Sequence, residues 1–339
     1  MELSENEEPL VDTTAPIPLR SKRTERLQRK QLKRSKKNGT ATGINSILEL
    51  PSEILIEILS FARPSDVFNL LRASRDLKSF IDSNEKTICR TIISRRYAVL
   101  TKCFPLPIPL NEVDRAVYPA LQSEKRQELL KIHKKPYLHI KPADEYSICT
   151  CLTCLFAWNN LCLLIDLAHW IGNLERREPI PTIPRGRNPE WNQSLVNANG
   201  LLVERAISHP LWYARILQEH LHTTTRNIQR SIQSRNTNPA FQMSIDDAKQ
   251  ETDVYLERSG LPSYDIPYHR DSYYSLVTYL PNRKWHKVEQ RWLYYAESQH
   301  ERDLEWIQRQ NAPQQVGERK ARQKQKHVTE KPGSHLSEK

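Results

Sequence analysis

Residues 47–97 punctuate themselves so regularly that little besides a set of short helices can be built from them. The stretch opens Leu50-Pro51-Ser52-Glu53. Proline is at home in a first helical turn, where its missing N–H costs nothing, and Glu53 brings negative charge to the helix N-terminus. Ile54, Leu55, Ile58, Leu59 and Phe61 then recur at helical spacing, which predicts one buried stripe. Arg63-Pro64 ends that helix, because a residue before proline is pushed out of the α region. Ser65 or Asp66 is placed to cap a second helix with Val67, Leu70 and Leu71 on its apolar side. Ser74 is placed to cap a third, with Leu77, Phe80 and Ile81 inward, and residues 84–99 continue as a helix through Ile88, Ile92 and Ile93.

In order and register, a Leu-Pro opening, an amphipathic helix, Pro64-Ser65-Asp66 and Leu70-Leu71-Arg72-Ala73-Ser74-Arg75 resemble the F-box, in the variant common in fungal proteins. The resemblance covers residues 45–97. Ala62 stands where the family usually has a larger apolar residue, and Leu77 where many members have Trp. What the resemblance implies is binding: docking onto the Skp-family adaptor of a cullin–RING ubiquitin ligase, with the rest of the chain presenting an unidentified protein substrate. Carried over position by position, the adaptor-facing residues are Leu50, Pro51, Ile54, Ile58, Leu59 and Leu70. A three-helix unit is too small to bury all its apolar surface, and an exposed apolar patch marks a partner site.

Charge confines the other binding classes. The chain carries a net +11, but residues 1–19 contribute −5, residues 20–37 contribute +9 and residues 318–339 contribute +4, leaving only +3 for residues 38–317. A near-balanced centre argues against a nucleic-acid surface over the whole protein. The basic run at 20–37 suits a nuclear localisation signal or an anionic partner. Residues 1–43 and 313–339 lack the apolar content that offsets ordering entropy and are expected to be disordered. Met1 is followed by acidic residues and no apolar core, so no secretory signal is expected there. Six cysteines without a secretory route are expected as reduced thiols.

Eight glycines against 22 prolines predict few tight turns and many helix stops. Residues 100–147 read as a proline-containing connector with short helices. Residues 148–312 read as a helical C-terminal domain, with residues 148–174 as its buried spine. That stretch is long enough to span a bilayer, but Asn159, Asn160, Asp166 and His169 oppose insertion. Helices are expected at 209–233 and 283–309, with Trp170, Trp212 and Trp292 as core aromatics and Val288 on the apolar face of the last helix.

Chemistry-bearing patterns are sparse. Cys149-x-Cys151-x-x-Cys154, with Cys162 and His169 downstream, offers metal-type ligands. A helix over 151–171 would put Cys162 two turns past Cys154, out of reach of one ion, so the thiols read as small buried groups and no metal ligand or cofactor is expected. The histidines show no catalytic pattern, and no glycine-rich loop is present to cradle phosphate. The aromatic and basic segment 264–295 has the residue types that stack bases, yet aromatics of this kind usually form cores. Arg270, Arg283 and Lys284, beside the loop 262–268, are the expected surface for an acidic or phosphorylated substrate.

The sequence thus predicts a mainly α protein, with an F-box unit at 44–99, a helical C-terminal domain and no catalytic residues. Its expected work is that of a substrate-recognition adaptor in a ubiquitin ligase of the nucleus or cytoplasm, with no membrane partner. The alternative is a nuclear nucleic-acid or chromatin-associated protein without a ligase role.

Overall fold

The computed structural model describes residues 25–30, 47–134, 138–233, 240–260, 267, 269–295 and 298–311. The segments expected to be disordered lie outside these, apart from residues 25–30, which form an exposed stretch of helix. The chain divides into two compact units, Met1–Leu55 and Ile56–Lys339. The described residues of the first include the 3-10 turn Ile47–Glu49 and the opening of helix α1, Ser52–Phe61. Pro51 stands just ahead of that helix, and its carbonyl accepts the Leu55 N–H at 3.0 Å.

The second unit is mainly helical. Helix α2 (Pro64–Ala73) starts on its proline, with Arg63 at the N-cap. Neither Ser65 nor Asp66 caps it; Asp66 instead accepts two hydrogen bonds from Arg63, at 2.8 and 3.2 Å. Ser74 does cap helix α3 (Arg75–Arg96), and one 22-residue helix takes in both segments expected there. Its buried residues Leu77, Ile81, Ile88 and Ile92 fall on one helical face. Helix α4 is Ala98–Cys103 and helix α5 is Glu124–Lys134.

The apolar stretch forms helix α6, Leu152–Arg176. It is long and apolar enough to cross a membrane by length and composition, but 61% of its most apolar window is buried inside the fold. Asp166, fully buried on it, is satisfied within the protein: the Arg270 guanidinium donates to its two oxygens at 2.8 and 2.7 Å, and the Tyr273 hydroxyl donates at 2.8 Å. Helices α7 (Glu190–Ser208) and α8 (Pro210–Gln233) pack on α6 and on each other, and α8 also packs on α2, α3 and α4.

The segment 283–309 departs from the single helix expected. It folds as an antiparallel hairpin, β1 (Arg283–His286) with β2 (Arg291–Tyr294), followed by helix α9 (Gln299–Asn311). Trp285 stands directly across from Trp292 with ring centroids 5.2 Å apart, an aromatic cross-strand pair of the kind that stabilises sheets. Val288, expected on a buried face, is 89% exposed in the connecting turn. Trp170 and Trp292 are core aromatics as expected, while Trp212 is half-buried with its edge against Phe68.

Candidate functional site

Helix α1 carries more apolar side chains than one buried face accepts. Leu55 and Leu59 are each 1% exposed, whereas Ile54, Ile58 and Phe61 remain 44%, 42% and 50% exposed. The residues expected to form one buried stripe therefore divide into buried Leu55 and Leu59 and exposed Ile54, Ile58 and Phe61. Among the residues placed against an adaptor, Pro51, Ile54 and Ile58 are exposed and Leu50 and Leu70 half-buried. Leu59, placed in the same set, is buried. Phe61, outside that set, is exposed as well. Its ring carries the Arg95 guanidinium at 3.7 Å, a contact that holds an apolar side chain open to solvent.

A second constellation forms at the start of α6. The extended run before Leu110 pairs with the run before Cys149, through Leu110 N–H to the Ser147 carbonyl at 3.0 Å and Cys149 N–H to the Ile108 carbonyl at 2.9 Å. This sets Cys149 beside the α6 N-terminus, where Cys151 is the N-cap and its Sγ accepts the Cys154 N–H at 3.4 Å. Cys149 Sγ accepts from Cys151 N–H, and Cys154 Sγ from Ile108 N–H, both at 3.5 Å. Helix α9 then brings His300 across the chain, with Nδ1 3.3 Å from Cys151 Sγ and 3.4 Å from Cys154 Sγ. The four ligand atoms lie within 4.8 Å of one another.

The three thiols are buried in an apolar cluster with Leu110, Val113, Leu121 and Ile307. The hydrogen bond with Cys151, and then that with Cys154, pulls the Cys149 thiol well below its ordinary range, and the bond with Cys149 pushes Cys151 up. Cys162 and His169, grouped with these cysteines in the sequence, stand apart. Cys162 is fully buried further along α6, and His169 is exposed, its ring edge-on to Trp170. His300 was the ligand-type residue that spacing missed, because it lies 149 positions from Cys151.

The cationic surface expected near the loop 262–268 does not form as drawn. Arg270 is 6% exposed and bound to Asp166 and Asn192, and Arg283 is 2% exposed with its guanidinium 3.9 Å from the Trp292 ring centre. Burial won in both cases because each guanidinium found aromatic faces and fixed acceptors. Of the three, Lys284 alone is exposed, and of the loop itself only Pro267 is among the described residues. Tyr273, Tyr279 and Trp292 are buried and offer no face to a base. His139 and His220 are buried, and burial lowers both to about 4, so they are neutral packing groups.

Comparison with known proteins bears on one part of this arrangement. Residues 47–91 match the family model of the F-box-like domain, which takes in α1, α2 and most of α3. No curated protein and no solved structure matches the chain.

Proposed function

The chain carries an F-box-like domain at residues 47–91, and from that premise we propose that it is a substrate-recognition adaptor of an SCF-type cullin–RING ubiquitin ligase. The observation that carries the reading is the uncovered side of α1. Ile54 and Ile58, one helical turn apart within the matched segment, are 44% and 42% exposed. Large apolar side chains held in water on an amphipathic helix are what a helix-docking partner covers. On this reading Leu50, Pro51, Ile54, Ile58 and Leu70 meet a Skp-family adaptor, and through it a cullin. Leu59 supports the module from inside. The chain works by binding, with no catalysis of its own, in the nucleus or cytoplasm.

The test uses the full chain co-expressed with a Skp-family adaptor. The double substitution Ile54→Asp, Ile58→Asp is expected to abolish co-purification, since burying unpaired charge in an interface core costs on the order of 2–4 kcal/mol or more. Its thermal unfolding is expected to stay within about 0.5 kcal/mol of the parent, because neither side chain is in the core. Leu59→Ala should show the opposite pattern, with a stability loss of about 2–5 kcal/mol. A folded double variant that still holds the adaptor would sink the assignment. Deleting residues 20–37 is expected to shift a tagged chain toward the cytoplasm while adaptor binding persists; an unchanged distribution would remove the nuclear part of the proposal.

A further inference from the structure

We propose that Cys149, Cys151, Cys154 and His300 bind one structural zinc ion that fastens the last helix to the start of the long central one. The donor set and its geometry carry this. Zn–S near 2.3 Å and Zn–N near 2.0–2.1 Å in a tetrahedron imply sulfur–nitrogen separations of about 3.6 Å and sulfur–sulfur separations of about 3.8 Å. His300 Nδ1 lies 3.3 and 3.4 Å from two of the sulfurs, and all four donor atoms lie within 4.8 Å of one another. Three thiols packed together for apolar reasons would not need an imidazole nitrogen turned onto them from another helix.

The surroundings suit thiolates. Each of the three sulfurs accepts a backbone N–H, from Ile108, Cys151 and Cys154. Such N–H groups orient metal-bound sulfur and offset its charge. Zinc with three thiolates and a neutral imidazole carries a net −1, three protons leaving as the ion enters. The Arg126 guanidinium brings positive charge to the same stretch of chain: it donates from Nη2 to the carbonyl of Thr150, between Cys149 and Cys151 in the sequence.

Four protein ligands close the coordination sphere, so the ion has no open position for a substrate and its work is structural. The sulfur-rich, tetrahedral set favours zinc over hard cations. A second tie lies alongside it. Asp303, one turn after His300 on α9, accepts the Thr153 N–H and hydroxyl, both at 2.8 Å. Cys89, Cys103 and Cys162 make the contrast: burial raises the first two to about 12 and raises the third further, and none lies in a ligand cluster among the described residues.

The full-length chain, purified under reducing conditions from zinc-supplemented cells, is expected to contain about one equivalent of zinc by elemental analysis. Replacement by cobalt should give the intense visible bands of a tetrahedral site and the near-ultraviolet charge transfer of thiolate ligation. Cys151→Ser and His300→Ala should lose the metal, and Cys162→Ser should keep it. Because a ligand variant can fail to fold, the cobalt spectrum of the unmodified chain decides independently. A parent protein without bound zinc and without a thiolate–cobalt spectrum, or equal metal loss from Cys162→Ser, overturns the proposal. So does a Cys149–Cys151 or Cys151–Cys154 disulfide in the freshly isolated protein.

Discussion

Asp166 and Arg270 show how much of this fold rests on single buried groups. The pair is separated by 104 residues, and every nitrogen of the guanidinium fork has an acceptor: Nε and Nη2 on Asp166, Nη1 on the Asn192 side-chain Oδ1 at 2.8 Å. Removing one partner of such a pair strands the other in the core, so Asp166→Ala is expected to lower stability by about 3–5 kcal/mol in denaturant unfolding. The sequence made Asp166 visible as a charge inside an apolar helix, but its partner was not. Arg270 looks like any surface cation, and only the tertiary fold lays it against Trp170 and Trp191. His300 was hidden for the same reason: ligand spacing is readable within one helix and unreadable between two.

Asp253 makes the other residue-scale prediction. Its Oδ2 accepts the Val99 and Leu100 N–H groups at 2.8 and 2.7 Å, at the first turn of α4. Burial raises its carboxyl from 3.8 to about 7. A carboxyl raised in the folded state binds more protons than it does in the unfolded chain between those values. Its contribution is therefore fully present below 3.8 and is lost as pH rises through about 7. Asp253→Asn, which keeps an acceptor but cannot ionise, is expected to remove this part of the pH dependence. The check is the difference between parent and variant in urea unfolding across that window. Identical slopes would show that Asp253 does not titrate there.

At the scale of elements, the helices were legible and the hairpin was not. Pro64, Ser74 and Pro210 mark boundaries through backbone chemistry that acts locally, so α2, α3 and α8 begin where those residues say. Residues 283–309 place Trp285, Val288, Trp292 and Leu293 at a helical period, and the strands β1 and β2 show no clean alternation that would have announced them. What decided the outcome was the pairing of Trp285 with Trp292, a contact that exists only once the chain has reversed. Left-handed backbone at Asn282 (φ 62°) and Gln290 (φ 49°) flanks β1 and precedes β2, where glycine would have announced a turn. The two readings differ in a measurable way. Val288→Asp is expected to change stability by less than about 0.5 kcal/mol, being in water. Trp292→Ala should cost about 3–5 kcal/mol, being in the core. A large penalty at Val288 would restore the helix.

The second unit as a whole joins the matched helices to the rest of the chain through groups that each half lends the other. Glu85, on α3, accepts the Leu211 N–H at 2.9 Å at the start of α8. Asp253, far down the chain, does the same for α4. Ser65 and Gln218 exchange hydrogen bonds at 2.9 and 3.0 Å. None of this shows in the sequence, where residues 100–147 read as a spacer. Protein engineers treat such recognition motifs as cassettes to be moved between receptors. Here a graft of residues 47–91 would carry Glu85 away from the helix whose first turn it satisfies, and a receptor domain lifted from residue 148 onward would take Asp253 from the helix it caps. A chimera respecting this protein must be cut elsewhere, or must replace both carboxylates at the new seam.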